Sequence, residues 1–293
     1  MPIIDKKTAI EKLKAQEVVA LPTETVYGLA GRIDSRPAIE SIFRTKERPS
    51  FDPLIVHVSS LDMAKGLIKE STPLFEKLAS HFWPGPLTLI MEKNEKISDA
   101  ITAGLPRVGL RLPSHPIFKE IIEMVGIPLA APSANMFKRT SPTKASHVIE
   151  SFADKVSVVD GGDCEVGIES TILEVINDRI KIFRPGMISK AELEKISGVP
   201  VEYAQGPVAP GQMKEHYRPR VPLYLLWDDD PKIRDSKEWD VREIPPQIVS
   251  RELYTFLHSS QGQKALSIRV KNDFRNLDLW QGILNRLEKA AFN

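Results

Sequence analysis

Short apolar segments alternate with amphipathic segments along the first two thirds of this chain of 293 residues. Apolar runs bounded by turn residues are typical of buried strands, whereas apolar residues three and four positions apart indicate a helix that packs on one side. The segments with the strand pattern are Val18–Leu21, Leu87–Met91, Val108–Leu112, Ile127–Ala131, Val156–Asp160, Thr171–Val175 and Ile180–Arg184. Because the two patterns alternate, the sequence predicts a mixed α/β domain.

Local signals mark the ends of several predicted helices. Pro37 is placed to begin a helix whose apolar side carries Ile39, Ile42 and Phe43. Because this apolar pattern stops at Phe43, we expect Arg44–Arg48 to lie just beyond the C-terminal end of the helix. Gly126 is placed to end a later helix, because glycine readily adopts the left-handed conformation at such ends. Ser189 and Glu192 form a capping box, which predicts that another helix begins there.

The pattern changes after about Tyr203, where a turn-rich segment begins. Beyond it, the order strand, helix, strand, helix predicts a small parallel, Rossmann-like α/β domain. The four elements are Val221–Leu226, Ile248–Ser259, Leu266–Val270 and Leu277–Ala291. We therefore divide the chain into a first domain at residues 1–203, a linker at 204–221 and a C-terminal domain at 222–293.

Composition and charge narrow the class of protein. The 40 basic and 39 acidic residues leave a net charge of only +1, which does not indicate a surface that coats nucleic acid. The single cysteine, Cys164, excludes a disulfide within the chain and a zinc site with several cysteines. No segment approaches the ~18 apolar residues of a membrane span, and Met1–Lys7 has no signal-peptide core, so we expect a cytoplasmic protein without membrane contact.

The familiar nucleotide and metal motifs are missing from the sequence. There is no Gly-x-x-x-x-Gly-Lys-Ser/Thr loop, no Gly-x-Gly-x-x-Gly turn and no His-Glu-x-x-His helix. Asp228–Asp230 is open to two interpretations, a metal site or a solvated acidic turn, and the turn is the simpler one. A nucleotide, if one binds, must therefore be held by cationic side chains.

Two pairs of polar residues share the same spacing. Lys46 and Arg48 are two residues apart, as are Ser133 and Asn135, and in extended segments such pairs project from one face. Cations and hydroxyl or amide groups on one surface suit a phosphate and a polar small molecule. The pairs resemble the Lys-x-Arg and Ser-x-Asn signature of YrdC-like proteins, the threonylcarbamoyl-AMP synthases.

The resemblance covers about residues 3–220 and implies an open twisted sheet with flanking helices around a basic concavity. Other segments that match the family in order are Leu21–Ala30, Asp52–Val58, Trp83–Thr88, Val108–Pro113, Gly167–Ile172, Arg184–Gly186 and Ala209–Tyr217. The Pro-Gly-x-x-x-x-His-Tyr segment at 210–217 is similar to the longer branch of the family, which has two domains. Compared with that branch, the C-terminal domain looks shortened.

The resemblance also implies a reaction, in which L-threonine, bicarbonate or CO2, and ATP give threonylcarbamoyl-adenylate and pyrophosphate. The product supplies the threonylcarbamoyladenosine modification of tRNA through downstream threonylcarbamoyl-transferase proteins. An anion attacks the α-phosphate of ATP, so catalysis depends on positioning and charge neutralisation. We expect Mg²⁺ as the cofactor, held by ATP oxygens and water, and no metal site made of protein ligands.

The resemblance assigns roles to individual residues. Lys46 and Arg48 are expected to stabilise the transferring phosphate, and Arg48 also to bind ATP. The residues assigned to threonine are Thr25, His57, Arg111, Ser170 and Thr171. The further residues assigned to ATP are Ser133, Asn135, Ser141, Arg184 and Tyr217. The chain departs from the family at Glu47, where Gly is common, and at Asp52, where Asn is common, so contact of Asp52 with phosphate requires a cation between them.

Other interpretations stay open. A histidine in an apolar strand, such as His57, is often a core residue, and Ser141 before Pro142 is placed to cap a helix. Arg184 is placed to pack on a turn, and Tyr217 to anchor the linker. Two alternative functions for the whole chain stay open. It could bind double-stranded RNA or tRNA in the concavity, or it could be a carbamoyl-transfer domain of the kind found in larger maturation enzymes.

The linker at residues 204–221 is predicted to act as a lid. Pro210 and Gly211 provide a bend, and Tyr217 is expected to fold over ATP and threonine. Such a lid excludes water that would hydrolyse the labile product.

Overall fold

The computed structural model describes residues 2–176, 179–204 and 216–292. The strands are β1 (Ile3–Ile4), β2 (Val19–Leu21), β3 (Gly28–Arg32), β4 (Ile55–His57), β5 (Leu87–Glu92), β6 (Arg107–Arg111), β7 (Leu129–Ala130), β8 (Ser157–Val159), β9 (Thr171–Ile176), β10 (Arg179–Arg184), β11 (Val201–Tyr203), β12 (Leu223–Trp227), β13 (Ser236–Asp240) and β14 (Ala265–Val270). The helices are α1 (Lys6–Lys14), α2 (Arg36–Lys46), α3 (Leu61–Lys65), α4 (Pro73–Phe82), α5 (Asp99–Thr102), α6 (Pro116–Val125), α7 (Ala145–Phe152), α8 (Lys190–Ser197), α9 (Pro246–His258) and α10 (Trp280–Ala290).

The first domain is built on one mixed sheet. Its strand order is β1-β8-β2-β3-β7-β4-β6-β5-β9-β10-β11, and β4 pairs in parallel with β6 and antiparallel with β7. His57 and Arg111 are partners in the β4–β6 register, so their side chains point to the same face. Every strand predicted in this domain is present with bounds that differ by one or two residues, and the mixed α/β prediction is confirmed.

The end of α2 differs from the prediction. The helix begins where the Ser35 side chain accepts a hydrogen bond from the Ala38 amide, and its last residue is Lys46. Glu47 then adopts the left-handed conformation, with φ of 52°, that closes the helix. The prediction that Arg44–Arg48 lie beyond the helix is therefore wrong. Because a tight turn separates the two cations, they do not lie side by side on an extended segment.

The C-terminal domain contains a three-stranded parallel sheet in the order β12-β14-β13. All residues of the central strand β14 are buried. Strand β13 was not predicted because its sequence, Ser-Lys-Glu-Trp-Asp, lacks an apolar alternation, and its pairing with β14 makes it a strand. The acidic segment forms a turn after β12, where the Asp230 carboxylate accepts a hydrogen bond from the Trp227 amide at 2.7 Å.

A hydrophobic core joins the two domains. Val26 and Ile168 of the first domain pack in the same cluster as Tyr217, Leu253 and Ile283. Val26 follows Thr25 in the sequence, and Ile168 precedes Glu169; Thr25 and Glu169 both line the pocket described below. The boundaries drawn at residues 203 and 221 stay predictions. Among the helices within the described ranges, none is both long enough and apolar enough to cross a membrane.

Candidate active site

Seven of the predicted site residues line one concave pocket of about 50 Å³ at the ends of β4 and β6. These residues are Thr25, Arg48, His57, Arg111, Ser133, Arg184 and Tyr217. The other five predicted residues do not line this pocket. Lys46, Ser141 and Ser170 form hydrogen bonds with the lining residues Ser133, Glu169 and Arg184, whereas the Asn135 and Thr171 side chains bond to the carbonyls of Arg139 and Ile188. The structure therefore brings together parts of the chain that are far apart in sequence.

Arg48 and Asp52 form a buried ion pair beside the pocket. The Arg48 Nη2 atom lies 2.9 Å from Asp52 Oδ1, and the side chains are only 5% and 9% exposed. Arg48 also donates hydrogen bonds to the backbone carbonyls of Asp52 and Pro53. Burial raises the pKa of Asp52, although Arg48 opposes this effect. Arg48 thus supplies the cation that the sequence required before Asp52 approaches phosphate.

Lys46 stabilises the loop that contains Ser133 and Asn135 through hydrogen bonds to its backbone. Its Nζ atom donates hydrogen bonds of 2.5 Å to the Ser133 and Asn135 carbonyls, and Lys46 is 1% exposed. Burial, with the nearby charge of Arg48, holds the pKa of Lys46 well below its usual value. The Asn135 side chain donates to the Arg139 carbonyl at 2.7 Å. Lys46 and Asn135 therefore shape the loop that borders the pocket.

Arg111 is paired with Glu24, an acidic residue to which the sequence assigned no role. Its Nη2 atom lies 2.7 Å from Glu24 Oε1, and both side chains are at most 5% exposed. The other Glu24 oxygen accepts a hydrogen bond from the Ser114 amide at 3.2 Å. Beside this pair, burial first and Arg111 second lower the pKa of His57 to about 3, so its ring is neutral.

Glu169 is an acidic residue that lines the pocket and to which the sequence assigned no role. Its carboxylate accepts a hydrogen bond of 2.6 Å from the Ser141 hydroxyl. Burial alone would raise the pKa of Glu169, but Arg286, Arg184 and Ser141 together lower it to about 2. Glu24 and Glu169 both lie in segments that match the family, and this was the signal available in the sequence.

Ser170 and Thr171 form hydrogen bonds with neighbouring residues of the protein, and their contact with threonine stays a prediction. Arg184 donates hydrogen bonds of 3.1 Å to the Ser170 carbonyl and hydroxyl, so Ser170 orients Arg184. The Thr171 hydroxyl donates to the Ile188 carbonyl at 3.2 Å. Both hydroxyl groups thus support the wall of the pocket.

Tyr217 lies against the pocket with His216, which was also not selected. Their rings are 4.2 Å apart, and burial lowers the pKa of His216 to about 3 and raises that of Tyr217. The predicted bend at Pro210 and Gly211 lies outside the described residues, and the lid stays a prediction.

Several buried polar atoms of the pocket suit a polar ligand. Within residues 2–176, 179–204 and 216–292, no hydrogen-bond partner is found for His57 Nδ1, His216 Nδ1 or the Tyr217 hydroxyl. Buried polar atoms are normally paired. Three arginines, Arg48, Arg111 and Arg184, border the same space, so the pocket is built for an anionic, hydrogen-bonding molecule.

Comparison with known proteins gives the family. The model of the Sua5, YciO and YrdC family, described as "Telomere recombination", matches residues 11–186. The model described as "Threonylcarbamoyl-AMP synthase, C-terminal domain" matches residues 188–292. A threonylcarbamoyl-AMP synthase from Bacillus subtilis is 40% identical over an alignment that covers 95% of this chain and 90% of the relative. The chain belongs to the threonylcarbamoyl-AMP synthase family.

Other members of the threonylcarbamoyl-AMP synthase family match across both domains. A synthase from Schizosaccharomyces pombe is 31% identical, with 93% of this chain and 84% of the relative covered. The crystal structure of Sua5 from Pyrococcus abyssi complexed with L-threonine matches with a TM-score of 0.88 and 30% identity. It covers 98% of this chain, and this chain covers 94% of it. The two-domain resemblance seen in the sequence is confirmed.

Three buried histidines predict a loss of stability in acid. Burial is the main reason why the pKa values of His57, His147 and His216 are lowered to about 3. Since the value in the unfolded chain is ~6.5, the unfolded state binds more protons below that pH. The stability that these neutral histidines contribute is therefore fully present above pH ~6.5 and is lost as the pH falls toward 3. We expect the midpoint of thermal unfolding, followed by circular dichroism, to fall steadily between about pH 7 and about pH 4.5.

A variant of one histidine provides the control for this prediction. His147 stacks on His258 with ring centres 3.8 Å apart, and it lies outside the lining of the pocket. His147→Leu should flatten the pH dependence because it removes one of the buried histidines whose pKa is lowered by folding. A midpoint that stays constant across this pH range in the unmodified protein would contradict the prediction.

Proposed function

We propose that the chain makes threonylcarbamoyl-AMP and pyrophosphate from L-threonine, bicarbonate or CO2, and ATP. The observation that carries the proposal is the buried pocket in which Arg48, Arg111 and Arg184 surround unpaired polar atoms. A zwitterionic amino acid and a polyphosphate both need such cations and hydrogen-bonding groups. Membership of the synthase family and the threonine complex of the Pyrococcus abyssi relative support the same substrates.

Threonine is assigned to the side of the pocket formed by Thr25, His57 and Arg111. The threonine carboxylate would form an ion pair with the Arg111 guanidinium, which its ion pair with Glu24 holds in place. Neutral His57 and the Thr25 hydroxyl offer hydrogen bonds to the polar groups of the amino acid. Glu24 is thus a positioning residue for Arg111.

The triphosphate is assigned to the side formed by Arg48, Ser133 and Arg184. An oxygen of N-carboxylated threonine attacks the α-phosphorus, a P–O bond forms, and the bond to the β-phosphate oxygen breaks to release pyrophosphate. Negative charge accumulates on the phosphate oxygens, and Arg48 and Arg184 lie where they can neutralise it. No covalent nucleophile is required, and burial raises the pKa of the Cys164 thiol, which keeps it protonated.

The adenine base is assigned to an apolar cavity of about 110 Å³ next to the polar pocket. The two spaces share Pro53 and Ile55, and Val108 and Ile172 form further parts of the apolar wall. A flat base gains from burial against such a wall. The triphosphate then extends from the apolar cavity toward Arg48.

Mg²⁺ is proposed to enter with ATP. Among residues 2–176, 179–204 and 216–292, no group of three or more His, Cys, Asp or Glu side chains is arranged to hold a metal ion. Glu169 lines the pocket, Glu24 and Asp52 pair with arginines that line it, and each of the three carboxylates has an arginine partner. The donors that fit Mg²⁺ here are therefore phosphate oxygens and water, and the ion would supply further charge neutralisation.

The product implies later partners. A mixed anhydride of a carbamate and AMP is reactive, so a threonylcarbamoyl-transferase that modifies tRNA is the proposed consumer. Cytoplasmic ATP and bicarbonate make the cytoplasm the proposed location. The family matches support the synthase and give no support to the alternative of a double-stranded RNA or tRNA-binding protein.

The proposed reaction predicts a defined set of products. Purified protein with Mg-ATP, bicarbonate and L-threonine should release pyrophosphate and form an adenylate with the mass of threonylcarbamoyl-AMP. Omission of threonine or bicarbonate should stop the release. Formation of ADP and orthophosphate instead would exclude attack at the α-phosphorus. L-Serine is the matched substrate control, since one methyl group contributes only ~1–3 kcal/mol of discrimination.

A further inference from the structure

The carboxylate of Glu169 is held by both domains. Its Oε1 atom accepts the hydrogen bond from Ser141, whereas its Oε2 atom accepts from the Tyr254 hydroxyl at 2.9 Å and from Arg286 Nε at 2.8 Å. Tyr254 lies on α9 and Arg286 on α10, both in the C-terminal domain. A residue that lines the pocket of the first domain is thus fixed by two side chains of the second domain.

Arg286 contacts both ends of residues 169–185, the segment that carries Ser170 and Arg184. It is fully buried and donates hydrogen bonds to the Glu169 carbonyl at 3.2 Å and to the Pro185 carbonyl at 2.6 Å. Pro185 follows Arg184, and Ser170 follows Glu169. One guanidinium group therefore connects the two pieces of chain that present Ser170 and Arg184.

The backbones of the two domains approach each other closely at the same place. A Cβ atom on Gly282 of α10 would lie 2.6 Å from the Gly186 carbonyl oxygen. Gly167, with φ of 81°, lies against the backbone of α9 at Ser250 and Arg251. Because only glycine permits such approaches, the helices of the C-terminal domain pack directly on both ends of this segment.

We propose that Tyr254 and Arg286 are positioning residues for the active site. They hold the Glu169 carboxylate, and with it the segment that carries Ser170, so that Arg184 faces the triphosphate. The C-terminal domain then contributes to ATP binding through these two side chains. This inference rests on the proposed function, because it concerns how ATP is bound for that reaction.

The charge of Glu169 explains why this positioning affects ATP. A carboxylate that borders a pocket for polyphosphate repels the substrate unless a cation neutralises it. Arg286 provides this charge from the side of the C-terminal domain. In its absence, Arg184, which also stabilises the charged form of Glu169, would be drawn toward the carboxylate and away from phosphate.

Arg286→Gln tests the charge argument. We expect the KM for ATP to rise about ten-fold or more and kcat to fall, while the KM for threonine changes by less than about three-fold. The matched control is Arg269→Gln, since the buried Arg269 pairs with the partly exposed Glu238 of the same domain at 2.8 Å. That variant should lose stability and keep the KM for ATP.

The pH dependence distinguishes positioning from a general loss of packing. The titratable and charged groups that face Glu169 are Arg184, His216, Tyr217, Tyr254, Arg286 and Lys289. Without Arg286, burial makes protonation of Glu169 easier, and the neutral acid repels ATP less. The KM of Arg286→Gln for ATP should therefore fall more than that of the unmodified protein between about pH 8 and about pH 6.

Tyr254→Phe is a second variant, and we expect it to fold because the ring keeps its place in the core. It removes one hydrogen bond to Glu169 and leaves the ring in the core, so the KM for ATP should rise about three-fold. Tyr224→Phe, which removes a hydroxyl from β12, is the control and should have no effect on kinetics. If Arg286→Gln does not fold, Tyr254→Phe decides the outcome.

Wild-type values of KM for ATP in Tyr254→Phe, and in Arg286→Gln where it folds, would overturn the inference. Changes no larger than those of the two controls would do the same. Failure of the proposed function is a separate result, in which the unmodified protein releases no pyrophosphate with threonine and bicarbonate. The positioning role would then be measured by titration calorimetry with Mg-ATP, using the same four variants.

Discussion

Arg48→Ala is expected to lower kcat/KM for ATP by about ten- to a hundred-fold or more. The guanidinium lies at the pocket, where a lost hydrogen bond to a charged group costs ~1.5–3 kcal/mol. Its removal also leaves Asp52, which is 9% exposed at its side chain, without its closest cation. The unpaired carboxylate would repel the triphosphate, so the effect should lie at the upper end of this range. Initial rates of pyrophosphate release measure it.

A second substitution separates the two causes of this loss. In Arg48→Ala/Asp52→Asn, the repelling charge is absent and only the phosphate contact is missing. This double variant should recover part of the activity lost in Arg48→Ala. Full activity in Arg48→Ala would mean that the arginine is structural, and an equal loss in the single and double variants would mean that Asp52 has no influence on ATP.

Lys46→Met is expected to lower both stability and activity. Methionine keeps the apolar part of the side chain but removes the hydrogen bonds to the Ser133 and Asn135 carbonyls. Each buried carbonyl that loses its partner costs ~1–3 kcal/mol, so the midpoint of thermal unfolding should fall by several degrees. Activity should fall because the loop with Ser133 is no longer fixed.

The comparison of stability and kinetics decides which role Lys46 has. Lys6→Met is the matched control, since Lys6 pairs with Glu120 at the surface, where ion pairs contribute ~0–1 kcal/mol. An unchanged unfolding midpoint in Lys46→Met, together with a large loss of activity, would contradict the loop role. It would instead support the direct contact with the transferring phosphate that the family resemblance assigned.

The sequence predicted seven strands of the first domain within two residues, because their apolar runs are bounded by clear turn residues, but it did not predict β1, β3 or β11. It also placed the helix ends at Gly126 and Ser189, which the structure confirms with φ of 74° and a hydrogen bond from the Glu192 amide. It missed β13, whose polar sequence becomes a strand only beside the buried β14. Local pattern is sufficient where an element has its own amphipathic signal.

The pocket could be predicted in part. Arg48, His57 and Arg111 were identified from motifs, and all three line the pocket. The spacing of Lys46 and Arg48 suggested two cations on one face, but the left-handed turn at Glu47 sends Lys46 to the Ser133 and Asn135 carbonyls. The spacing of two residues predicts where their side chains point only when the backbone conformation between them is known. Here the left-handed conformation of Glu47 turns the chain, so that Lys46 and Arg48 point in different directions.

The sequence by itself determined the family, the mixed α/β first domain and the set of cations near the site, because these depend on motifs and on local periodicity. Only the tertiary structure decided which charges are paired. Glu169 and Arg286 are 117 residues apart, and Arg286 lies on a helix that reads as an ordinary amphipathic element. Their interaction depends on how two domains pack through Gly186 and Gly282, and contacts of that kind leave no periodic signal in either segment.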